Sequence, residues 1–179
     1  MGTNSKILEM QMGLESLDIP AEDFLAYYDT DDIATILAAI DDLGTYVEKA
    51  GPFDGVLGFS QGAVLAAMLL IRNRHAPPFK FAVFVCAGTP FSEDLLRQGR
   101  LEYVNFERDG ILINIPSAHI IGSKDPSVDH AYELARVCES HSQSVYDHGA
   151  GHEIPRSPRG VTEEMVRVIE DVIAKATVG

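Results

Sequence analysis

Apolar positions along the chain fall into two patterns. Between Thr30 and Gly51 they recur at helical spacing, with Ile33, Ile36, Leu37, Ile40, Leu43 and Val47 on one face. Thr30 is the expected cap, Asp31 and Asp32 suit the positive end of the helix dipole, and Gly51-Pro52 is the stop. Elsewhere the apolar residues run on unbroken, as at 79–86, which predicts a parallel strand covered on both faces. Shorter runs at 53–57, 117–122 and 143–146 predict three more strands. Helices are expected at 63–70, at 128–139 with Tyr132, Leu134 and Val137 inward, and from Thr162 onward. In the last, Val161 and Val166 are spaced for a hydrophobic staple, and Met165, Ile169, Val172 and Ile173 form the inner face.

Strands alternating with helices imply βαβ units and an α/β fold whose mainly parallel sheet lies between helix layers. Residues 1–13 read as a helix with Ile7, Leu8 and Met12 inward, whereas 14–24 shows no clear strand. The mixed stretch 91–115 is expected to be a lid or a pocket wall beside a strand end.

With 179 residues the chain has the length of one domain. Its 27 acidic against 14 basic side chains, a net charge of −13, argue against nucleic acid or an anionic membrane as partner. Cys86 lies in an apolar run and Cys138 in a helical segment, which fits buried thiols in a reducing compartment better than a disulfide. The chain shows no leader pattern and no apolar run of membrane-spanning length, so a cytoplasmic location is expected.

The candidate chemistry begins at Gly58-Phe59-Ser60-Gln61-Gly62, a G-x-S-x-G elbow between a strand and a helix. Such a turn exposes the serine hydroxyl, and the Gln61 N–H at the helix start is an oxyanion donor. Parallel strands deliver their carboxyl ends to one edge, which brings Asp125 and His152 to Ser60 in the order Ser, Asp, His of α/β-hydrolases. Asp129 and Asp147 are rival acids, read as solvated or capping. His148 is the rival base, read as a loop-ordering hydrogen bonder, and His119 as a satisfied strand histidine. His75 and His141 look like surface residues and His130 helical. His148 and His152 lack the helical setting that would make a metal pair of them, and there is no cofactor motif. Phe59, Pro90, Phe91 and part of 91–115 are expected to line an apolar acyl cleft.

Residues 51–63, Ile121-Gly-Ser-Lys-Asp-Pro126 and His148-Gly-Ala-Gly-His-Glu-Ile-Pro155 resemble the motifs of the FSH-type fungal serine hydrolases, a family that includes LovG-like polyketide thioesterases. The resemblance covers nearly the whole chain. It implies Ser60 as nucleophile, Asp125 as acid, His152 as base, and hydrolysis of an ester or thioester, in the closest subgroup release of a polyketide from a carrier domain. Met1-Gly2-Thr3-Asn4 is similar to the family sequence that follows the first strand, which makes Met1 the second oxyanion donor. One or two N-terminal strands are then missing. The expectations are a sheet of about four strands, an exposed edge at 53–57 open to self-association, and two competing roles, a working esterase or a catalytically weak acyl-binding or chaperone-like protein.

Overall fold

The computed structural model describes residues 26–178. Met1, the expected helix at 1–13 and the segment 14–24 lie outside them. In chain order the elements are α1 (Ile33–Ala50), β1 (Gly55–Phe59), α2 (Gln61–Arg72), β2 (Phe81–Val85), α3 (Glu93–Arg97), α4 (Phe106–Asp109), β3 (Ser117–Ile121), α5 (Val128–Arg136), β4 (Gln143–Asp147) and α6 (Arg159–Val178). All four strands are parallel, in the order β1-β2-β3-β4. Among the described residues β1 pairs with β2 alone, and Leu57 in β1 is 59% exposed.

Strand alternation sorts the core into two. Ala82 and Phe84 of β2 pack with Ile36 and Ile40 of α1 and the buried side chains of α2, while Val83 and Val85 turn the other way. They meet Ala118 and Ile120 of β3 and Met165 and Val172 of α6. The result is the expected α/β fold, a parallel sheet between two helix layers. Helix α2 is buried continuously from Ala63 to Leu70 because it is packed between the sheet on one side and α1 on the other.

Several local expectations are corrected. Asp32, not Thr30, caps α1, its Oδ1 accepting the Ala34 N–H at 2.9 Å. Asp29 Oδ1 accepts from the Asp31 N–H and Thr35 Oγ1 from the Asp29 N–H, which ties 29–31 into a turn and moves the helix start along. Helix α6 begins before Thr162 and leaves Val166 and Ile173 exposed, so the staple does not form; Tyr132 of α5 is also exposed, although Leu134 and Val137 are buried. Within 91–115 the chain makes two short helices and an antiparallel bridge from Phe91 to Tyr103. Arg72 at the end of α2 anchors this stretch through Glu93, Nε to Oε2 at 2.8 Å.

Candidate active site

The carboxyl ends of β1, β3 and β4 share one sheet edge, and each delivers a polar side chain there. Between β1 and α2 the backbone turns at Ser60 with φ 54° and ψ −123°, a conformation that costs a non-glycine residue on the order of 1–3 kcal/mol. It is imposed by close packing. A Cβ on Gly58 would lie 2.5 Å from both N and Cα of Ala63, so only glycine lets the strand pass the helix at this height. Gly62 plays no such part. A Cβ there would meet only a Tyr27 ring carbon at 3.7 Å, so the two glycines of the elbow are not equivalent. The Ser60 N–H is held by the Val85 carbonyl of β2 at 3.0 Å, which fixes the turn to the sheet.

From β3 and β4 come two loops joined to each other. Lys124 N–H donates to Ala150 O at 3.0 Å, His148 N–H to Ile121 O at 2.8 Å, and Asp147 Oδ1 accepts from Ser123 and Gly149 N–H groups. Gly122 permits this contact, since a Cβ on it would sit 2.5 Å from Ala150 O. Asp147 thus braces the loops. Its carboxyl is held below its ordinary range, first by the Gly149 N–H. His148 is buried and orders the same loop. Its Nδ1 accepts the Ala150 N–H at 3.2 Å, so the ring proton is on Nε2, facing Cys86 Sγ at 3.6 Å.

The braced loops set out a continuous chain of hydrogen bonds. His152 Nε2 is 2.8 Å from Ser60 Oγ, and His152 Nδ1 is 2.6 Å from Asp125 Oδ2. Asp125 is buried, its Oδ1 accepting the Ser127 N–H at 2.8 Å, so the carboxylate has one oxygen left for the imidazole. The structure therefore brings together Ser60, His152 and Asp125, leaves Asp129 on α5, and keeps His148 and Asp147 out of the chain. His119 lies in β3, Nε2 at 3.1 Å from Ser117 Oγ, and burial pushes its pKa down to about 4.

A cavity of about 580 Å³ opens beside Ser60 and is lined by Gln61, Val64, Ala87, Phe91 and Pro126 among others. Two of the expected lining residues lie elsewhere. Phe59, the last residue of β1, faces the α6 layer and packs its ring on that of His152, centroids 5.1 Å apart. Pro90 is buried beside the cavity but does not line it. In their place stand Tyr28, Thr89 and His130, none of them part of a motif, while Tyr103, like Phe91, comes from the 91–115 stretch expected to line the cleft. Thr89 follows β2 and His130 opens α5, so both sit at the same sheet edge as the serine, and that edge rule was the signal that could have found them.

Cys86, with φ 44°, also reaches the cavity. Its sulfur, a His152 nitrogen and an Asp125 oxygen lie within 4.8 Å of one another. Metal binding is a poor account of this group, because Asp125 and His152 already bond to each other and burial pushes the Cys86 thiol up to about 11. Gln61 N–H heads α2 and has no intrahelical acceptor, so it is available to an oxyanion. The Gln61 side chain bonds back to the segment before α1, its Oε1 accepting the Tyr27 N–H at 3.2 Å and its Nε2 donating to Tyr28 O at 3.3 Å.

A parallel sheet between helix layers, with a strained serine elbow after one strand and a histidine loop after the last, defines an α/β-hydrolase. Comparison with known proteins agrees. A family model described as serine hydrolase (FSH1) matches residues 5–163, and the chain belongs to this family. Esterase FPY3 of Fusarium mangiferae is 42% identical over 210 aligned residues, covering 100% of this chain and 96% of its own length. Those 210 positions exceed the 179 residues of this chain, so FPY3 carries residues with no counterpart here. Esterase OVCA2 of Danio rerio is 30% identical over 86% of this chain and 68% of its own. A monoacylglycerol lipase from Paleococcus ferrophilus superposes with a TM-score of 0.56 at 13% identity, over 78% of this chain and 76% of that one, a likeness of fold alone.

Proposed function

We propose that the protein is a serine esterase or thioesterase that works through an acyl-enzyme on Ser60. The observation that carries this reading is the connected chain from Ser60 Oγ through His152 to Asp125, at 2.8 and 2.6 Å. With the imidazole proton on Nδ1 and donated to Asp125, Nε2 is free to take the serine proton as Oγ attacks the acyl carbonyl. The tetrahedral oxyanion is met by the Gln61 N–H at the positive end of α2. As the C–O or C–S bond breaks, His152 gives the proton to the leaving oxygen or sulfur. Water then repeats the sequence on the ester formed with Ser60 and releases a carboxylic acid.

The finer reading is a thioester substrate, a polyketide acyl chain presented by a carrier domain in secondary metabolism, within the cytoplasm. Apolar lining beside Ser60 and two free, buried cysteines are what support it. A fluorophosphonate probe tests the core of the proposal. The parent protein is expected to gain the probe mass on the peptide holding Ser60, and Ser60→Ala to gain none. Labelling at another residue, or none in the parent, overturns it. A carrier-bound acyl thioester hydrolysed no faster than the matching simple ester overturns the finer reading.

A further inference from the structure

His152 is held by its ring but stands in a loop without regular structure. Asp125 meets Nδ1 and Phe59 lies against the imidazole, yet the side chain is still 36% exposed. Where Nε2 sits relative to Ser60 Oγ therefore depends on the backbone from Gly151 to Glu153. Lys124 N–H holds the loop as far as Ala150 O. Past that point a sulfur takes over.

Cys86, the residue after β2, is 2% exposed and reaches both carbonyls that flank His152, its Sγ lying 3.5 Å from Glu153 O and 3.9 Å from Gly151 O. The shorter contact takes the thiol proton. Burial pushes the thiol up to about 11, so that proton stays on sulfur and can be donated. The sulfur lone pairs face the Nε2–H of His148 at 3.6 Å, and His148 Nδ1 accepts the Ala150 N–H. One set of contacts thus runs from Ala150 through His148 and Cys86 to Glu153, around the stretch that carries the base. Both side chains are anchored to the sheet. Cys86 N–H donates to Ile120 O at 2.9 Å and His148 N–H to Ile121 O at 2.8 Å, consecutive carbonyls at the end of β3.

The backbone at Cys86 supports a role for its side chain. Its φ of 44° lies in the region that favours glycine, and a side chain kept there in spite of the strain points to a function. Thiol hydrogen bonds are weak singly. A small displacement is still enough to matter, because about 1 Å of misplacement can cost on the order of a hundredfold in rate.

We propose, on the esterase reading above, that Cys86 and His148 are a positioning pair that fixes the His152 loop and so keeps Nε2 on Ser60 Oγ. Neither takes part in the proton transfers.

Alanine and serine bring the same Cβ to this backbone, so Cys86→Ala and Cys86→Ser share its strain and differ in whether a donor and acceptor remain. On a p-nitrophenyl ester, Cys86→Ala is expected to lose about tenfold or more in kcat with KM unchanged, and Cys86→Ser to recover most of that loss at the same urea midpoint. Cys86→Ala combined with His148→Ala should fall no further than the worse single variant, because both break one set of contacts. A third measurement needs no turnover. The His152 Nδ1 proton shared with Asp125 is expected as a resolved downfield proton resonance in the parent, kept in Cys86→Ser and broadened away in Cys86→Ala. Equal kcat in the alanine and serine variants, a change in KM alone, additive losses in the double variant, or a resonance absent from the parent or unaltered in Cys86→Ala overturns the proposal. Probe labelling of the parent at Ser60 reports separately on the hydrolase reading, so a parent that does not label but shows the expected resonances refutes that reading and leaves the positioning pair standing.

Discussion

His119 is the most heavily desolvated histidine described, and it makes the fold acid-sensitive by an amount that can be worked out. It is 1% exposed in β3, its ring beside Phe84 at 5.3 Å, and burial alone moves its pKa from 6.5 to about 4. The folded state thus binds its proton less readily than the unfolded chain does. Stability from this residue is fully present above pH 6.5 and is lost as pH falls toward 4, at about 1.4 kcal/mol for each pH unit. Between those limits the loss is about 3 kcal/mol, a large part of the roughly 5–15 kcal/mol that holds a domain together. Urea unfolding of the parent and of His119→Gln at pH 7, 6, 5 and 4.5 isolates the effect, because glutamine can still bond Ser117 but does not titrate. Carboxylates and His148 titrate in both proteins and cancel in the difference. The parent is expected to lose more stability than the variant over this range, by about 3 kcal/mol when extrapolated to pH 4. Parallel pH profiles would refute the assignment of His119 as a buried neutral base.

Three further outcomes follow from the site. Asp125→Asn turns a donor toward His152 Nδ1 and favours the wrong tautomer, so kcat on an ester substrate should fall about 10⁴-fold with little change in binding. Phe59→Ala removes the ring that steadies His152 without touching the cavity; kcat is expected to drop about tenfold or more while KM holds, and a rise in KM alone would return Phe59 to the substrate. Gly58→Ala should cost about 3 kcal/mol of stability by denaturant midpoint, whereas Gly62→Ala should be neutral or gain up to about 1 kcal/mol.

The hydrogen-bonded chain Ser60–His152–Asp125 was legible because its three side chains end up where strand ends must go. Residue type, a strand before and a helix after place Ser60, Asp125 and the His152 loop at one edge, whatever the register. Phe59 was misjudged for the opposite reason. Phe59 stands three residues after Val56, which packs on the α1–α2 side, so strand alternation turns it to the opposite face with Val83 and Val85, and sequence adjacency to Ser60 was no guide to the cavity. Tyr28 and His130 carry no motif. They reach the cavity only because Gln61 ties down the segment before α1 and because α5 starts at the acid loop, contacts made over 33 residues in the first case. The cap of α1 was displaced by a competing turn at Asp29, since several Asp and Thr residues in a row offer more than one local solution.

The strand order β1-β2-β3-β4 is also the order in which the ribosome makes them. Each strand after the first emerges next to a neighbour already synthesised, and no later strand has to be inserted between two earlier ones among the described residues. The reactive parts do not arrive together. Ser60 precedes His152 by 92 residues, and α6, which covers the second face of the sheet, comes last. Until the loop after β4 has been made, Ser60 stands without the imidazole that its hydroxyl meets in the folded protein.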